Sequence, residues 1–234
     1  YEGRPTWAMD SFFEVAQYGQ LVDSCHAYGA KVISQLTVGL GRVAYADRLE
    51  TAPYGPSAIP LRNNPAVCTR PFTVDQIHEV VKAYGAAALM LKKAGVDGIE
   101  MHAYGGYLFD QFMTSAWNHR TDEYGGSLEN RMRFVVECLH EVRKTCGADF
   151  PVTAKVTVDH RINKPGYRTI EEGIEMCKIL EREGIDALHL DTGCYERYYC
   201  QIPSVYEEKG MELDVIRKIR AAVKVPLMGQ GKLN

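Results

Sequence analysis

The sequence predicts an α/β protein in which a parallel sheet is covered by helices, and among such folds a (β/α)8 (TIM) barrel. Three observations carry this reading. Helical periods and short apolar runs alternate along the whole chain without a break. Each run is continuously apolar rather than alternating, as expected of strands buried on both faces. The chain also repeats itself: Ala94-Gly95-Val96-Asp97-Gly98-Ile99-Glu100-Met101-His102 matches Glu183-Gly184-Ile185-Asp186-Ala187-Leu188-His189-Leu190-Asp191, in each case a helix-ending glycine, an aspartate and a strand. A doubly wound dinucleotide fold would need a glycine-rich strand-to-helix turn, and no G-x-G-x-x-G follows any strand.

Residues 15, 18, 22 and 25 recur at helical spacing up to Gly29, and Lys31 to Leu36 reads as a short buried strand. Thr73 is the expected N-cap of the next helix, with Gln76 completing a capping box and apolar positions 77, 80, 81, 84, 88 and 91 on one face. That helix ends near Gly95. Gly98 to His102 is a strand, followed by a loop of about 25 residues, long enough to suggest function. Ser127 caps a helix whose apolar face is Leu128, Met132, Val135, Leu139 and Val142. Then come a strand at Val152 to Val156, a helix around Ile170, Ile174 and Cys177, a strand at Ala187 to Asp191, a helix over 212–222 and a strand at Val225 to Gly229.

Composition narrows the function classes. The 234 residues are 46% hydrophobic and 24% charged, an ordinary globular balance. No run approaches the roughly 18 apolar residues of a membrane span. Lys plus Arg number 27 against 30 Asp plus Glu, a net charge of -3, which gives no basic field for nucleic acid. Seven cysteines, odd in number and without a C-x-x-C pair, indicate neither a disulfide framework nor a zinc ribbon, so a soluble, cytoplasmic protein in a reducing compartment is expected. The chain opens at Tyr1 without methionine and closes on Gly229-Gln230-Gly231-Lys232-Leu233-Asn234, so it is expected to be an internal segment of a longer protein.

In a parallel barrel the chemistry sits at the C-terminal ends of the strands. Those ends carry Gln35, His102, Lys155, Asp191 and Gly229. Singly, each has a structural explanation: a satisfied core amide or histidine, or a snorkelling lysine. Five polar strand ends at one mouth are what a polar ligand requires.

The loop after His102 supplies Tyr104, Tyr107, Asp110, Gln111 and Asn118, then Arg120 to Arg131 as R-T-D-E-Y-G-G-S-L-E-N-R. With Pro56-Ser57-Ala58-Ile59-Pro60, Arg70-Pro71-Phe72-Thr73, and Gln35-Leu36 followed by Gly41-Arg42, these strings closely resemble the Old Yellow Enzyme family of flavin-dependent ene-reductases, over nearly the whole chain. Gln35 to Arg42 and the tyrosine-rich Gly193 to Tyr199 are most similar to the branch holding 2-enoate reductases, dienoyl-CoA reductases and bile-acid enone enzymes.

The resemblance implies FMN across the barrel mouth, with Gln35 and His102 near its pyrimidine side. Lys155 stands where the family usually has an arginine, and Gly229 and Gly231 in the phosphate-cradling turn. A cation beside a reduced flavin raises its potential, and lysine supplies the charge without arginine's planar fork. NAD(P)H would provide electrons for an activated C=C bond, Tyr107 matches the proton donor, and His102 matches the first of two carbonyl-binding residues. The second such position here is Gly105, which has no side chain, so Tyr195, Arg197, Tyr198 or Tyr199 from the later loop is expected to complete the substrate site.

Cys194 and Cys200, six apart, lack the further ligands of a metal site. Asp110, Gln111, Asp122 and the Glu129 to Arg131 stretch are expected to shape the loop. The family alignment makes the five strands the third to the seventh of the barrel. Relatives in this branch add a [4Fe-4S] cluster and FAD in later domains, outside this segment. The reverse desaturation, amine dehydrogenation, and a non-catalytic fragment without flavin remain alternatives, as does a homo-oligomer.

Overall fold

Helix α1 (Phe12–His26) leads through a turn at Gly29 into strand β1 (Ile33–Leu36). The structure, a computed structural model, describes residues 12–45 and 50–233. A long excursion after β1 holds two short strands, β2 (Tyr54–Gly55) and β3 (Arg70–Pro71), paired in parallel. The barrel alternation then resumes as α2 (Val74–Lys93), β4 (Gly98–Ala103), α3 (Leu108–Met113), α4 (Leu128–Cys146), β5 (Val152–Asp159), α5 (Ile170–Arg182), β6 (Ala187–Thr192), α6 (Tyr198–Gln201), α7 (Leu213–Ala222) and β7 (Leu227–Met228).

The cap chemistry read from the sequence is present. Thr73 Oγ1 accepts from the Gln76 amide at 3.2 Å while Gln76 Oε1 accepts from the Thr73 amide at 3.0 Å, and Ser127 Oγ accepts from the Asn130 amide at 3.3 Å. Such caps satisfy amides left orphaned by the helix start, at about 1 kcal/mol each.

The main sheet has the order β1-β4-β5-β6-β7, every pair parallel and the strands in chain order once the separate β2–β3 pair is set aside, which is the topology of a barrel wall. The register sorts the side chains. Ile99, Met101, Ala103, Ala154, Val156, Leu188 and Leu190 face outward, where they meet Ile77, Tyr84, Leu91, Met132, Leu139, Met176, Leu180 and Ile219 of the covering helices in one buried core. Burying an aliphatic or aromatic side chain of this size contributes about 1.5–3 kcal/mol. Helix α5 lies against β5 only because residue 173 is glycine: a Cβ there would stand 2.0 Å from the Val158 carbonyl oxygen. The opposite face, toward the barrel axis, aligns His102 with Lys155 and Lys155 with His189, and below them Gln35 with Glu100.

Among the differences from the sequence reading, three bear on the site. The loop after β4 contains α3, whose six residues are all buried, Asp110 and Gln111 included, so no solvent-facing side marks it in the sequence. Strand β5 runs on to Asp159 because Thr157 and Val158 are still buried between β4 and β6. Strand β7 shortens to two residues at a sheet edge, with Met228 exposed.

Candidate active site

The turn after β4 sets the site. Gly105 and Gly106 adopt φ of 72° and 83°, the left-handed region that favours glycine, and reverse the chain so that Tyr107 stands at the start of α3. The Gly105 amide donates to Thr157 Oγ1 at 2.8 Å and the Gly106 amide to Asp110 Oδ2 at 2.7 Å. Asp110 is fully buried and accepts from Arg168 Nη1 at 2.6 Å, with His160 Nε2 at 3.2 Å from its other oxygen. Burial opposes the charge on Asp110, but Arg168 and His160 outweigh it and hold the carboxyl well below the usual carboxylate range. Gln111 ties the same turn to the excursion after β1: its Oε1 accepts from the Arg42 amide and its Nε2 donates to the Leu40 and Gly106 carbonyls.

The R-T-D-E-Y-G-G stretch is tied into the loop framework, Asp122 among its bonded residues. Arg120 pairs with Asp122 and donates to the carbonyls of Pro56 and Phe72, Asn118 donates to those of Phe112 and Tyr124, and Arg131 to that of Gly126.

The second wall comes from the loop after β6. Thr157 Oγ1 donates to the Gly193 carbonyl at 3.3 Å, Gly105 bridges to Cys194, and a single 3-10 turn follows at Tyr195–Arg197. The Tyr195 hydroxyl then lies 2.7 Å from that of Tyr107. Two arginines from the excursion fix this turn. Arg42 pairs with Glu196 at 2.6 Å, and Arg62 donates to the Tyr195 carbonyl while its guanidinium lies 5.0 Å over the Tyr195 ring. The Cys194 thiol donates to Glu196, and burial pushes it well up. Among the described residues no group of three or more His, Cys, Asp and Glu side chains is arranged to hold a metal ion.

Between the two walls is a cavity of about 460 Å³, with Tyr104, Tyr107, Lys155, Asp191, Tyr195 and Tyr198 among its lining. Lys155 Nζ is 3.3 Å from Asp191 Oδ2 and 4.1 Å over the Tyr104 ring, a cation held by a carboxylate and an aromatic face together. Burial pushes Asp191 up, and Lys155 only partly offsets it. Burial and Asp191 raise the Tyr104 phenol to about 12. His102 lies beside the lining, its ring centroid 4.5 Å from those of both Tyr104 and Tyr107. Burial, with repulsion from Lys155, lowers it to about 4, so it is neutral at neutral pH, and its buried Nδ1 has no hydrogen-bond partner among the described residues.

Gln35 sits at the β1 edge and donates to Glu100 at 2.7 Å, and Glu100 in turn meets His189 at 3.1 Å. Burial opposes ionisation of Glu100, but these two hydrogen bonds hold its carboxyl below the usual value. Gly229 and Gly231 flank Gln230, which lines the cavity. Gly231 has φ of 97° and packs on Glu212, a buried carboxyl that burial, then Asp191, raises to about 7.

The structure therefore brings Tyr107, Lys155, Tyr195 and Tyr198 to one cavity, with His102 alongside and Gln35 at the sheet edge. Arg197 and Tyr199 bond to each other and are not part of the lining. Sequence reading missed Arg62, Glu196 and Gln201, the pairing of Arg42 with Glu196, and Arg168 and His160 as the partners of Asp110. The one available signal was the charge of Glu196 among tyrosines, which asks for a cation but does not say which.

Comparison with known proteins identifies the family and the fold. The family model described as the NADH:flavin oxidoreductase / NADH oxidase family matches residues 8–234. A cinnamate reductase of Clostridium sporogenes is 42% identical over 228 residues, covering 92% of this chain and 34% of the relative. An NADH oxidase of Thermoanaerobacter brockii is 31% identical over 223 residues, covering 93% of this chain and 33% of the relative. Among solved structures, a 2-naphthoyl-CoA reductase in complex with 2-naphthoyl-CoA superposes with a TM-score of 0.87 at 28% identity, covering 100% of this chain and 37% of that one. The chain thus spans about a third of the length of these relatives. With the Tyr107 loop, the barrel sheet and nearly every residue inside one family match, the chain belongs to the NADH:flavin oxidoreductase / NADH oxidase family, the Old Yellow Enzyme family.

Proposed function

We propose that this chain forms the flavin-binding, proton-donating part of an enzyme that saturates the C=C bond of an α,β-unsaturated carbonyl compound with electrons from NAD(P)H, and that its acceptors are aryl-substituted acrylates. The observation that carries the reading is the Tyr107 hydroxyl, held 2.7 Å from that of Tyr195 on a cavity that also contains Lys155. A phenol is a weak acid that gives up its proton only to a strongly basic carbon, and the neighbouring hydroxyl can stabilise the phenolate left behind. Acid catalysis of this kind contributes about 10²- to 10⁴-fold.

The residues present fit FMN. His102 has a buried ring nitrogen without a partner among the described residues, and Lys155 fixes a cation next to it on the same face of the sheet. Gln35, His102, Lys155 and the Gly229 to Gly231 turn would hold the group, which when bound supplies the hydride. Lys155 favours negative charge at the strand ends, neutral His102 polarises an oxygen without adding a full charge, and Tyr107 holds the proton. The aryl class draws support from the tyrosines of the cavity, from the cinnamate reductase at 42% identity and from the neighbour that binds a naphthoyl thioester. We further propose that this segment works within a longer protein, where any [4Fe-4S] cluster and FAD lie outside these residues. Iron and FAD content of the full-length protein check that part.

The test uses full-length protein under anaerobic conditions. NADH is expected to bleach a bound FMN and cinnamate to restore its colour. Tyr107→Phe is expected to leave bleaching intact and slow recolouring about 10²- to 10⁴-fold. Folded protein that neither retains nor binds FMN, or a Tyr107→Phe variant as fast as its parent, overturns the proposal.

A further inference from the structure

Gly105 and Gln201 compete for one place. Gln201 is the last residue of α6, on the loop after β6, and its half-buried side chain lines the same cavity as Tyr107 and Lys155. A Cβ built on Gly105 would stand 2.5 Å from Gln201 Nε2 and 3.3 Å from the edge of the Tyr107 ring. The Gln201 carboxamide therefore fills the space that a side chain at position 105 would enter, beside the proposed acid.

The amide is also uncommitted. A primary carboxamide offers two donor hydrogens and an acceptor oxygen, and Gln201 spends none of them on a described residue. The cations of the cavity are already engaged: Lys155 by Asp191, and Arg62 by Asn63 and the Tyr195 carbonyl. Tyr195 is engaged with Tyr107. Among the groups of the cavity, Gln201 is the one whose donor stands over Gly105.

We infer that Gln201 donates the second hydrogen bond to the carbonyl or carboxylate oxygen of the acceptor, from the place that Gly105 leaves open. The inference rests on the function proposed above. Negative charge grows on that oxygen as the C=C bond is attacked, and a donor already aimed at it contributes about 10²- to 10³-fold to turnover. It also explains glycine at 105 twice over, since φ of 72° disfavours other residues and a Cβ would push the amide aside. The atom displaced is the far end of a flexible side chain, so the fold would tolerate the intrusion while the donor lost its aim.

Full-length, FMN-loaded protein is compared with Gln201→Ala, Gln201→Glu, Gly105→Asn and the double variant Gln201→Ala/Gly105→Asn. Asparagine is chosen because it tolerates the left-handed region better than most residues. The readouts are turnover of cinnamate, bleaching by NADH, and the Kd of the saturated acid 3-phenylpropanoate from the shift it causes in the flavin spectrum. Gln201→Ala and the isosteric Gln201→Glu, which lacks the donor, are each expected to lower kcat/KM for cinnamate about 10²- to 10³-fold, weaken 3-phenylpropanoate binding and leave bleaching unchanged. Gly105→Asn alone is expected to lower turnover, yet to raise it when added to Gln201→Ala, because it supplies an amide from the other side of the same space. Gln201→Ala and Gln201→Glu within about twofold of parent in both turnover and binding overturn the inference. A double variant no better than Gln201→Ala overturns it too. In both cases slow recolouring by Tyr107→Phe leaves the proposed function standing, whereas fast recolouring by Tyr107→Phe removes the proposed function itself.

Discussion

The loop after β4 and the loop after β6 build one cavity by opposite means. The first is interior: Phe109, Asp110, Gln111, Phe112 and Met113 are inaccessible, and a buried carboxylate gathers a backbone amide, an arginine and a histidine around the Tyr107 turn. The second is mostly surface, with Tyr198, Tyr199, Ile202, Val205 and Tyr206 exposed, and it is steadied from outside by Arg42 and Arg62. The contrast matches the two tasks proposed for these loops. A proton donor must be aimed to within a fraction of an ångström, which calls for a rigid, densely bonded buried network. An acceptor-binding wall can be softer, because fit to a planar aromatic group tolerates small shifts.

The largest expected effect tests the rigid side. Arg168→Met leaves Asp110 charged and buried with one cation partner fewer, and should cost about 3–5 kcal/mol in urea unfolding of the full-length protein. A loss below 1 kcal/mol would mean that the Tyr107 turn does not depend on the buried pair.

Next comes acidity, where the two loops should respond in opposite directions. Asp110 has a depressed pKa, so its contribution is present at neutral pH and lost in strong acid. Glu212, which accepts from Thr192 Oγ1 at 3.0 Å and so joins the two ends of the second loop, is raised from 4.5 to about 7. A raised carboxyl binds its proton more tightly in the folded state, so stability is full below about pH 4.5 and falls as pH rises through about 7. Glu212→Gln keeps the neutral form at every pH. It should flatten that part of the profile and stabilise the protein above pH 7 by up to about 3 kcal/mol, read from Tm against pH. An unchanged slope would place the titration elsewhere, Asp191 being the neighbour raised in the same direction.

The smallest effect marks the outer limit of the soft side. Tyr206 is 93% exposed, and Tyr206→Ser should change unfolding stability by no more than about 0.5 kcal/mol. A larger loss would show that the exposed stretch is packed in the full-length protein.

Legibility in the sequence followed locality. Thr73 and Ser127 could be read as caps because capping is settled within three residues, and the buried faces of α2 and α4 followed from a period of 3.6. Helix α3 could not be read, since burial on every side removes the polar half of the pattern. His102, Lys155 and Tyr107 were found through strand ends and motif. Arg42 with Glu196 are 154 residues apart, and Arg168 with Asp110 are 58 apart. Such pairs are made by the barrel bringing strand ends together, and no spacing rule along the chain encodes them. Gln201 was hidden for another reason: its place is defined by a side chain that Gly105 lacks.

Thr157 carries one consequence beyond its own strand. Its single hydroxyl accepts from the Gly105 amide and donates to the Gly193 carbonyl, so both loops are measured from the same oxygen atom. A hydroxyl has one proton to give, which fixes the polarity of this three-residue chain. Hydrogen bonds tolerate only a few tenths of an ångström before weakening. The spacing between the proposed acid and the proposed acceptor wall is thus gauged by one atom of the barrel, and neither loop can be repositioned independently without breaking a bond to it.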